Sequence, residues 1–310
     1  MVAEPPRVSV LAPRARRVAR SLLGRRAVDV TQSIGPRSAL VVAPHPDDET
    51  LGCGGRVLLA RRAGARVTLV ILSDGGASEA ADGTDRVALV QTRSAELAEA
   101  ATRLGVQPDD VHELGYPDAA LIDHLAPIQA DLQRLIAAVN PDDVYVTCIQ
   151  EWHPDHAAAA AATRGAVAAL SHPPRLLEYP IWLWSDWPIS RRLVNGRGLW
   201  ECLMLLVSGR VERISLDGLT TDKRAALAAY ASQIGGPRRL DEQDTGTEDA
   251  PVGLGPELIA RTIAGPELYF RPKLQRRPLG QRLLRRLGIG GHSDPPPAPP
   301  SQRSSAPSDI

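Results

Sequence analysis

A short apolar run that ends in a cluster of charged residues constrains this chain more than any other feature. Residues 39–43 read Ala-Leu-Val-Val-Ala, and after one proline residues 45–49 read His-Pro-Asp-Asp-Glu. Such runs are typical of strands buried in parallel sheets, and open α/β sheets bind ligands where these strands end. Adjacent carboxylates at a buried position repel one another unless a cation is present. An acidic, solvated turn explains only part of this cluster, so we expect a metal ion here.

The rest of the central region alternates short apolar segments with helical ones. Further strands are expected over residues 66–72, 111–114, 143–148, 176–184, 211–216 and 267–271. Helices are expected over residues 54–63, 90–104, 125–139, 153–170 and 220–234. Strands separated by helices and short loops form βαβ units with right-handed crossovers. The sequence therefore predicts an α/β fold, with a Rossmann-like, mostly parallel sheet flanked by helices and a metal site at the C-terminal ends of the strands.

The net charge of zero hides an uneven distribution along the chain. Residues 1–37 contain eight arginines and two acids, and residues 271–286 contain seven lysines and arginines and no acid. We therefore divide the chain into a Pro/Arg-rich arm (1–37), a net acidic domain (38–270) and a basic, then Pro/Ser-rich tail (271–310). The arm is expected to be loosely ordered and the tail disordered.

This charge distribution also bears on the partners of the protein. A nucleic-acid binder usually carries its basic patch on the folded domain, so no nucleic-acid partner is expected. The basic arms are most simply solubilising segments, and peripheral contact with anionic lipid is the alternative. The three cysteines have no paired spacing, and the sequence shows neither a membrane span nor the apolar core of a signal peptide. We therefore expect a cytoplasmic protein, while its oligomeric state is not predicted.

A second motif stands at a matching position in the chain. Residues 152–156 read Trp-His-Pro-Asp-His and follow the strand expected over 143–148. Two strands of one parallel sheet present their C-terminal ends at the same edge, so the two motifs can meet. His45, Asp48 and either His153 or His156 would then leave one position open for water, which is typical of catalytic zinc. We expect one zinc ion per chain, and iron(II) accepts the same ligands.

Residues 44–49 and 153–156 resemble the two signatures of the PIG-L/LmbE-like de-N-acetylases. These zinc hydrolases remove acetyl groups from N-acetylglucosamine-type sugars. The resemblance extends over residues 38–234 and includes weaker features at Ser73, Asp74, Gly75, Arg93, Glu96, Pro117, Asp118, Lys223, Tyr230 and Gln233. It implies a metal-dependent hydrolase whose substrate is an N-acetylated amino sugar in a glycan, a glycolipid or a glycosylated metabolite.

The same resemblance implies roles for individual residues. It assigns the metal to His45, Asp48 and His156, although the sequence alone also allows His153 in place of His156. Asp47 would be the general base that takes a proton from water and returns it to the leaving amine. His153, as an imidazolium, would stabilise the developing oxyanion, and Asp155 would orient His153 and raise its pKa.

Substrate contacts are expected from Arg93 and Asp118, which match residues that bind sugar hydroxyls in the family, and from Asp74. Arg93 could instead pair with Glu96 on its own helix, and Asp74 could form an Asx turn. Glu151 and Trp152 stand where some members of the family have a tyrosine, which would make the rim of the site more acidic.

Several neighbouring residues receive structural interpretations. Most tryptophans of residues 182–187 are expected in the core, with Trp187 as the best candidate for a cavity wall. Cys53 is expected to pack, and the glycines at 52, 54 and 55 are expected to form a turn before the helix.

Two alternative functions remain from the sequence. The first is amide cleavage on a thiol-sugar conjugate, which needs the same site with a different pocket. The second is a non-catalytic sugar-binding protein on the same fold. Both motifs keep all their polar residues, which favours the enzyme.

Overall fold

The computed structural model describes residues 21–77, 85–151, 153–182, 211–234, 254 and 256–272. Within these residues one sheet contains the strands β1 (Val28–Asp29), β2 (Ala39–Ala43), β3 (Val67–Ser73), β4 (Val111–Tyr116), β5 (Asp143–Thr147), β6 (Arg175–Tyr179), β7 (Val211–Ile214) and β8 (Glu267–Phe270). The α-helices with described bounds are α1 (Asp48–Arg62), α2 (Arg86–Arg103), α3 (Leu125–Val139), α4 (Pro154–Ala168), α5 (Thr220–Leu227), α6 (Ala231–Ile234) and α7 (Pro256–Ala264). The predicted α/β class is confirmed.

The strand order places the two motifs side by side. The sheet runs β1-β7-β8-β6-β5-β2-β3-β4, and β8 is antiparallel to both its neighbours while the other pairs are parallel. Ala39 of β2 pairs with Asp143 of β5 on one side and with Val67 of β3 on the other. Because β2 and β5 are parallel neighbours, both motifs leave the same edge of the sheet from adjacent strands.

The sheet is covered by helices on both faces, as a parallel sheet requires. Side chains alternate along β2, so that Leu40 and Val42 belong to a core cluster with residues of α3 and α4, while Val41 belongs to a cluster with residues of α1, α2 and α5. All five residues of β2 are buried. Burial of each such aliphatic side chain contributes about 1.5–3 kcal/mol, so the strand that carries the first motif is held rigidly.

Helix α1 begins earlier than the sequence predicted. It starts at Asp48 rather than Gly54, and its three glycines lie inside the helix instead of forming a turn. A Cβ atom at Gly52 would lie 2.1 Å from Cδ2 of Tyr179, and one at Gly55 would lie 2.2 Å from Cδ2 of Leu216. Glycine costs a helix about 1 kcal/mol relative to alanine. Here the absence of a Cβ atom allows α1 to pack closely against the sheet and α5. The predicted turn is wrong, because all three glycines lie within the helix.

The described part of the N-terminal arm is packed. Residues 21–26 are helical, β1 pairs with β7, and Leu23 and Ile34 are buried. The prediction of a loosely ordered arm is therefore wrong for residues 21–37, because two apolar side chains and a strand pairing attach them to the body. Residues 1–20 and the tail from residue 273 lie outside the described residues, and the proposed contact of the basic arms with lipid stays a prediction.

Other differences concern the second half of the chain. The helix expected over residues 220–234 is divided into α5 and α6, and the strand expected from 176 ends at Tyr179. Trp184, Trp187 and the loop over 241–251 lie outside the described residues. Among the helices that the structure describes, none has the length and apolar character needed to cross a membrane.

Candidate metal centre

Three imidazole rings meet where β2 and β5 end. His45 follows β2, His153 is the N-cap of α4, and His156 lies in the first turn of α4. The ring centroids are 5.0 Å apart for His45 and His153, 5.4 Å for His45 and His156, and 5.0 Å for His153 and His156. The two motifs therefore form one site, as the matched strand ends predicted.

One group of donor atoms suits a metal ion. His45, Asp48 and His156 are buried and offer donor atoms within 4.8 Å of one another. Oδ2 of Asp48 lies 3.1 Å from Nδ1 of His45 and 3.3 Å from Nε2 of His156. Two imidazoles and one carboxylate form a donor set that zinc accepts, so the residues present fit the ion that the sequence predicted. His153 belongs to a second group, with His45 and Asp155.

The charges of this group are strongly coupled. Burial favours a neutral imidazole, yet the carboxylates of Asp118, Asp155 and Asp48 outweigh it and raise the pKa of His45 well above its usual range. Burial also opposes ionisation of Asp48, but His156 and His45 hold the pKa of Asp48 far below its usual range. The site is therefore an anionic pocket that stabilises positive charge.

Asp47 precedes Asp48 in the chain and lines, with the donor group, a cavity of about 260 Å³. It is the N-cap of α1, and its side chain is almost completely buried. Burial raises the pKa of Asp47 well above its usual range, although Arg93 counteracts this effect with Nη2 3.3 Å from Oδ2 of Asp47. A carboxylate of raised pKa next to the donor group can accept and return a proton.

His153 has properties different from those predicted. Its Nδ1 atom accepts a hydrogen bond of 3.3 Å from the backbone N–H of Asp155. Burial and the neighbouring His156 and His45 lower the pKa of His153 to about 4. These effects favour a neutral imidazole. Asp155 does raise the pKa of His153, as predicted, but burial and the two histidines outweigh its contribution, so the net shift is downward.

The carboxylate of Asp155 faces His45. Its Oδ2 atom lies 3.3 Å from Nε2 of His45 and accepts a 2.8 Å hydrogen bond from the backbone N–H of Ala119, while Oδ1 accepts from Leu121 N–H at 3.2 Å. The carboxylate of Asp155 therefore connects His45 to the turn after β4. The hydrogen bond between Asp155 and His153 is made by the backbone N–H of Asp155.

The predicted substrate contacts have other partners. Oδ1 of Asp118 lies 3.1 Å from Nε2 of His45, and the other oxygen of Asp118 accepts from the backbone N–H of Ala77. Asp74 pairs with Arg86 at 2.7 Å and accepts from the N–H of Gly76 at 3.0 Å, which is the Asx turn given above as its alternative. Asp118 therefore lies beside His45 of the donor group, and Asp74 stabilises a loop.

Arg93 is buried and donates to backbone carbonyl groups. Its guanidinium donates to Pro46 O at 2.6 Å and to Gly75 O at 3.0 Å, in addition to its pair with Asp47. The sequence also allowed an ion pair between Arg93 and Glu96 on the same helix. The carboxylate of Glu96 instead accepts hydrogen bonds from the backbone N–H and the hydroxyl group of Ser232, at 2.7 and 2.6 Å. Arg93 also lines the cavity, so its contact with a sugar stays a prediction.

The sequence misplaced Glu151, while Trp182 packs against the core as expected and in addition reaches the cavity. Glu151 is fully buried rather than on the rim, and its carboxylate accepts from the N–H groups of Ile181 at 2.6 Å and Trp182 at 2.9 Å. It also lies 3.8 Å from Nδ1 of His156. Trp182 lines the cavity, together with Gln233 and Leu254. The alternation of side chains along the expected strand could not predict that Trp182 reaches the cavity, because β6 ends at Tyr179 and the chain turns there.

Comparisons with known proteins agree with the two motifs. Residues 40–167 match the family described as PIG-L, GlcNAc-PI de-N-acetylase. The chain is 32% identical over 140 residues to a probable N-acetyl-alpha-D-glucosaminyl L-malate deacetylase 2 of Bacillus cereus, a match that covers 43% of this chain and 62% of the relative. It is 34% identical over 125 residues to a 1D-myo-inositol 2-acetamido-2-deoxy-alpha-D-glucopyranoside deacetylase of Kineococcus radiotolerans, covering 35% of this chain and 34% of the relative. The matches thus span less than two thirds of either relative.

The fold is also found among solved structures. The conserved protein TT1542 from Thermus thermophilus superposes with a TM-score of 0.52 at 24% sequence identity, over 77% of this chain and 96% of the other. At this identity the likeness concerns the fold, and it agrees with the open, mostly parallel sheet described above.

Proposed function

We propose that this chain is a metal-dependent hydrolase of the PIG-L family, which residues 40–167 match. It would remove the N-acetyl group from an amino-sugar conjugate of the N-acetylglucosamine type. The observation that carries the proposal is the position of Asp47, which lines the same cavity as the donor group but does not belong to that group. The names of both relatives describe deacetylases of glucosamine-type conjugates, which supports the substrate class.

We propose that one zinc ion is held by His45, Asp48 and His156, and iron(II) would accept the same residues. A metal ion bound there would lower the pKa of a water molecule and polarise the amide carbonyl of the substrate. The anionic pocket around these three side chains supports the assignment, because it stabilises positive charge.

Asp47 is proposed as the general base and then the general acid. Its buried carboxylate has a raised pKa, which suits a group that must both accept and return a proton near neutral pH. The proton is taken from the attacking water and is given to the nitrogen of the leaving amine. An amine leaves poorly without that proton, so one carboxylate serves both steps.

His153 is proposed to bind the developing oxyanion in its neutral form. Because Nδ1 of His153 accepts a hydrogen bond from the N–H of Asp155, its proton belongs on Nε2. His153 also lines the cavity. A neutral N–H donor in a buried site can stabilise an oxyanion by about 3–4 kcal/mol, and the imidazolium predicted from the sequence is not required.

The proposal can be tested by incubating the metal-loaded protein with a library of N-acetylated amino-sugar conjugates, including thiol conjugates. Acetate release and loss of the acetyl group are followed by mass spectrometry. We expect turnover of at least one member, and Asp47→Asn should reduce kcat by about a hundredfold or more with its metal content unchanged. Asp222→Asn, at an exposed position on α5, serves as the control.

Two results would contradict the proposal. Binding of a sugar conjugate without acetate release would favour the non-catalytic alternative. Full activity of Asp47→Asn would remove Asp47 from the reaction. Cleavage of thiol conjugates alone would instead identify the protein as an amidase that acts on thiol-sugar conjugates, the first of the two alternatives that the sequence left open.

A further inference from the structure

The backbone of Asp47 has an unusual conformation. Its φ is 124° and its ψ is −31°, whereas Ala119 and Asn140, the other described non-glycine residues with positive φ, have φ values of 64° and 49°. A side chain with a Cβ rarely adopts such a φ, and residues in such regions persist only where their surroundings hold them. The residue proposed as the general base is thus the most strained non-glycine residue described.

Glu49 holds the backbone of Asp47 from one side. Its Oε2 atom accepts a 3.0 Å hydrogen bond from the N–H of Asp47. The carbonyl oxygen of Asp47 in turn accepts from Thr50 N–H at 3.1 Å and Leu51 N–H at 2.9 Å, as the first turn of α1 forms. Both polar groups of the Asp47 backbone are therefore fixed by the residues that follow it.

Glu49 is itself fixed by a residue far along the chain. Its Oε1 atom accepts hydrogen bonds of 2.5 Å from the hydroxyl groups of Tyr230 and Thr50. Glu49 and Tyr230 are both fully buried, and Tyr230 lies between α5 and α6. Since both carboxylate oxygens of Glu49 are engaged, the side chain has one orientation, and it does not point its oxygens at the donor group.

We propose that Glu49, anchored by Tyr230, is a positioning residue that keeps Asp47 in its strained conformation and so places the Asp47 carboxylate next to the metal centre. This inference rests on the proposed function of Asp47. The competing interpretation is that Glu49 only caps α1, because an acidic side chain that accepts from the N-cap N–H stabilises a helix start. A cap affects stability, whereas a positioning residue affects kcat at constant KM and metal affinity.

The chain offers a matched pair of variants that separate the two roles. Tyr230→Phe removes one hydrogen bond from a buried tyrosine to Glu49, and Tyr269→Phe removes the equivalent hydrogen bond of 2.5 Å to Glu267, which lies on β8. For metal-loaded Tyr230→Phe we expect kcat to fall at least tenfold, with KM and metal affinity within a factor of two of the wild type. Tyr269→Phe should lose comparable thermal stability and keep kcat within a factor of two.

A second experiment needs no substrate. Glu49→Met removes both acceptor oxygens while keeping the length of the side chain, so the N–H of Asp47 and the hydroxyl groups of Thr50 and Tyr230 lose their acceptor. We expect hydrogen exchange of the Asp47 amide in the metal-loaded protein to accelerate at least tenfold relative to the wild type. A crystal structure of the variant should show Asp47 with a negative φ or in two conformations.

The outcomes are distinct. Equal losses of kcat in the two tyrosine variants, or unchanged kcat in Tyr230→Phe, would overturn the positioning role. Unchanged exchange at the Asp47 amide and an unchanged φ in Glu49→Met would overturn it as well. If the wild type turns over no acetylated sugar, the proposed function fails, while the exchange and crystallographic results still decide whether Glu49 holds Asp47.

Discussion

Nη2 of Arg93 donates a 2.6 Å hydrogen bond to the carbonyl oxygen of Pro46 and lies 3.3 Å from a carboxylate oxygen of Asp47. Arg93 belongs to α2, whereas Pro46 and Asp47 belong to the loop between β2 and α1. The guanidinium is buried, and its rigid, planar set of N–H donors holds these acceptors in a geometry that the single ammonium group of a lysine does not reproduce. Helix α2 therefore fixes the loop that carries the first motif.

This arrangement predicts the effect of Arg93→Lys. The buried oxygens of Pro46 and Gly75 lose a donor, so we expect the free energy of unfolding to fall by about 1–3 kcal/mol. The kcat of deacetylation should fall about tenfold while KM stays nearly constant. Steady-state kinetics and urea unfolding measure both effects, with Arg103→Lys on the exposed face of α2 as the control. A higher KM at unchanged kcat would instead favour the sugar contact that the resemblance implies.

A second prediction concerns the two carboxylates that face Nε2 of His45. A histidine that binds a metal usually donates its other N–H to a carboxylate, and loss of that partner weakens metal affinity by about 10–100-fold. We therefore expect Asp118→Asn and Asp155→Asn each to lower metal affinity by at least about tenfold. Competition with a chelator measures the affinity, and Asp222→Asn is again the control. If Asp118→Asn bound metal as the wild type does and changed only KM, Asp118 would be a substrate contact.

The strain at Asp47 can be measured through stability. Asp47→Ala and Asp47→Gly both lose the carboxylate and its pair with Arg93, but only glycine accepts a φ of 124° without steric cost. We expect Asp47→Gly to be more stable than Asp47→Ala by about 1 kcal/mol. Relief of the backbone strain stabilises the glycine variant by about 1–3 kcal/mol, and the larger conformational entropy that glycine gives the unfolded chain offsets part of this. Thermal unfolding of the two variants at equal metal loading tests this, and equal stability would argue against strain.

A cluster at the opposite end of the strands contributes to stability in acid. Arg37 and Arg175 each lie 2.7 Å from the fully buried carboxylate of Asp143. Burial opposes its ionisation, but Arg175 and Arg37 lower the pKa of Asp143 to about 2. An unfolded aspartate has a pKa of about 3.9. The stabilisation is therefore complete above about pH 4 and is lost as the pH falls through about 2.

This cluster gives a third stability prediction. The stabilisation amounts to at most about 2.6 kcal/mol, and to less because both arginine side chains are about one third exposed to solvent. Arg175→Gln should lower stability at pH 7 and flatten its dependence on pH between about 4 and 2. Urea unfolding across this range measures the change. A variant that keeps the slope of the wild type would show that Arg37 and the buried Arg56, whose Nη2 lies 3.5 Å from Oδ2 of Asp143, hold the pKa of Asp143 without Arg175.

The packing of α1 predicts a contrast between two glycines. Gly52→Ala would place Cβ 2.1 Å from the ring of the buried Tyr179, whereas a Cβ at Gly24 meets no atom within 4 Å. Overpacking of this kind costs about 1–3 kcal/mol or more. We expect a clear fall in melting temperature for Gly52→Ala and little change or a slight rise for Gly24→Ala. Similar melting temperatures would mean that Tyr179 moves away at little cost.

The sequence by itself determined the strands that carry the motifs, the edge of the sheet at which they meet and the residue types of the metal centre. Apolar runs such as residues 39–43 bury on both faces wherever they occur, and parallel strands release their ends at one edge. These properties depend on local pattern and on a general rule of topology. Even so, the pattern did not reveal that α1 starts at Asp48, because glycines usually mark a turn and here permit close packing.

Only the tertiary structure decided which side chains contact one another across the site. Asp48 groups with His156 rather than with His153, Arg93 reaches the loop of Asp47, and Tyr230 reaches Glu49 across 181 positions of sequence. Such contacts depend on the crossing of helices and on which rotamer fits a buried space, and neither follows from spacing along the chain. The burial that lowers the pKa of His153 and raises that of Asp47 arises in the same way, since desolvation is a property of the assembled site.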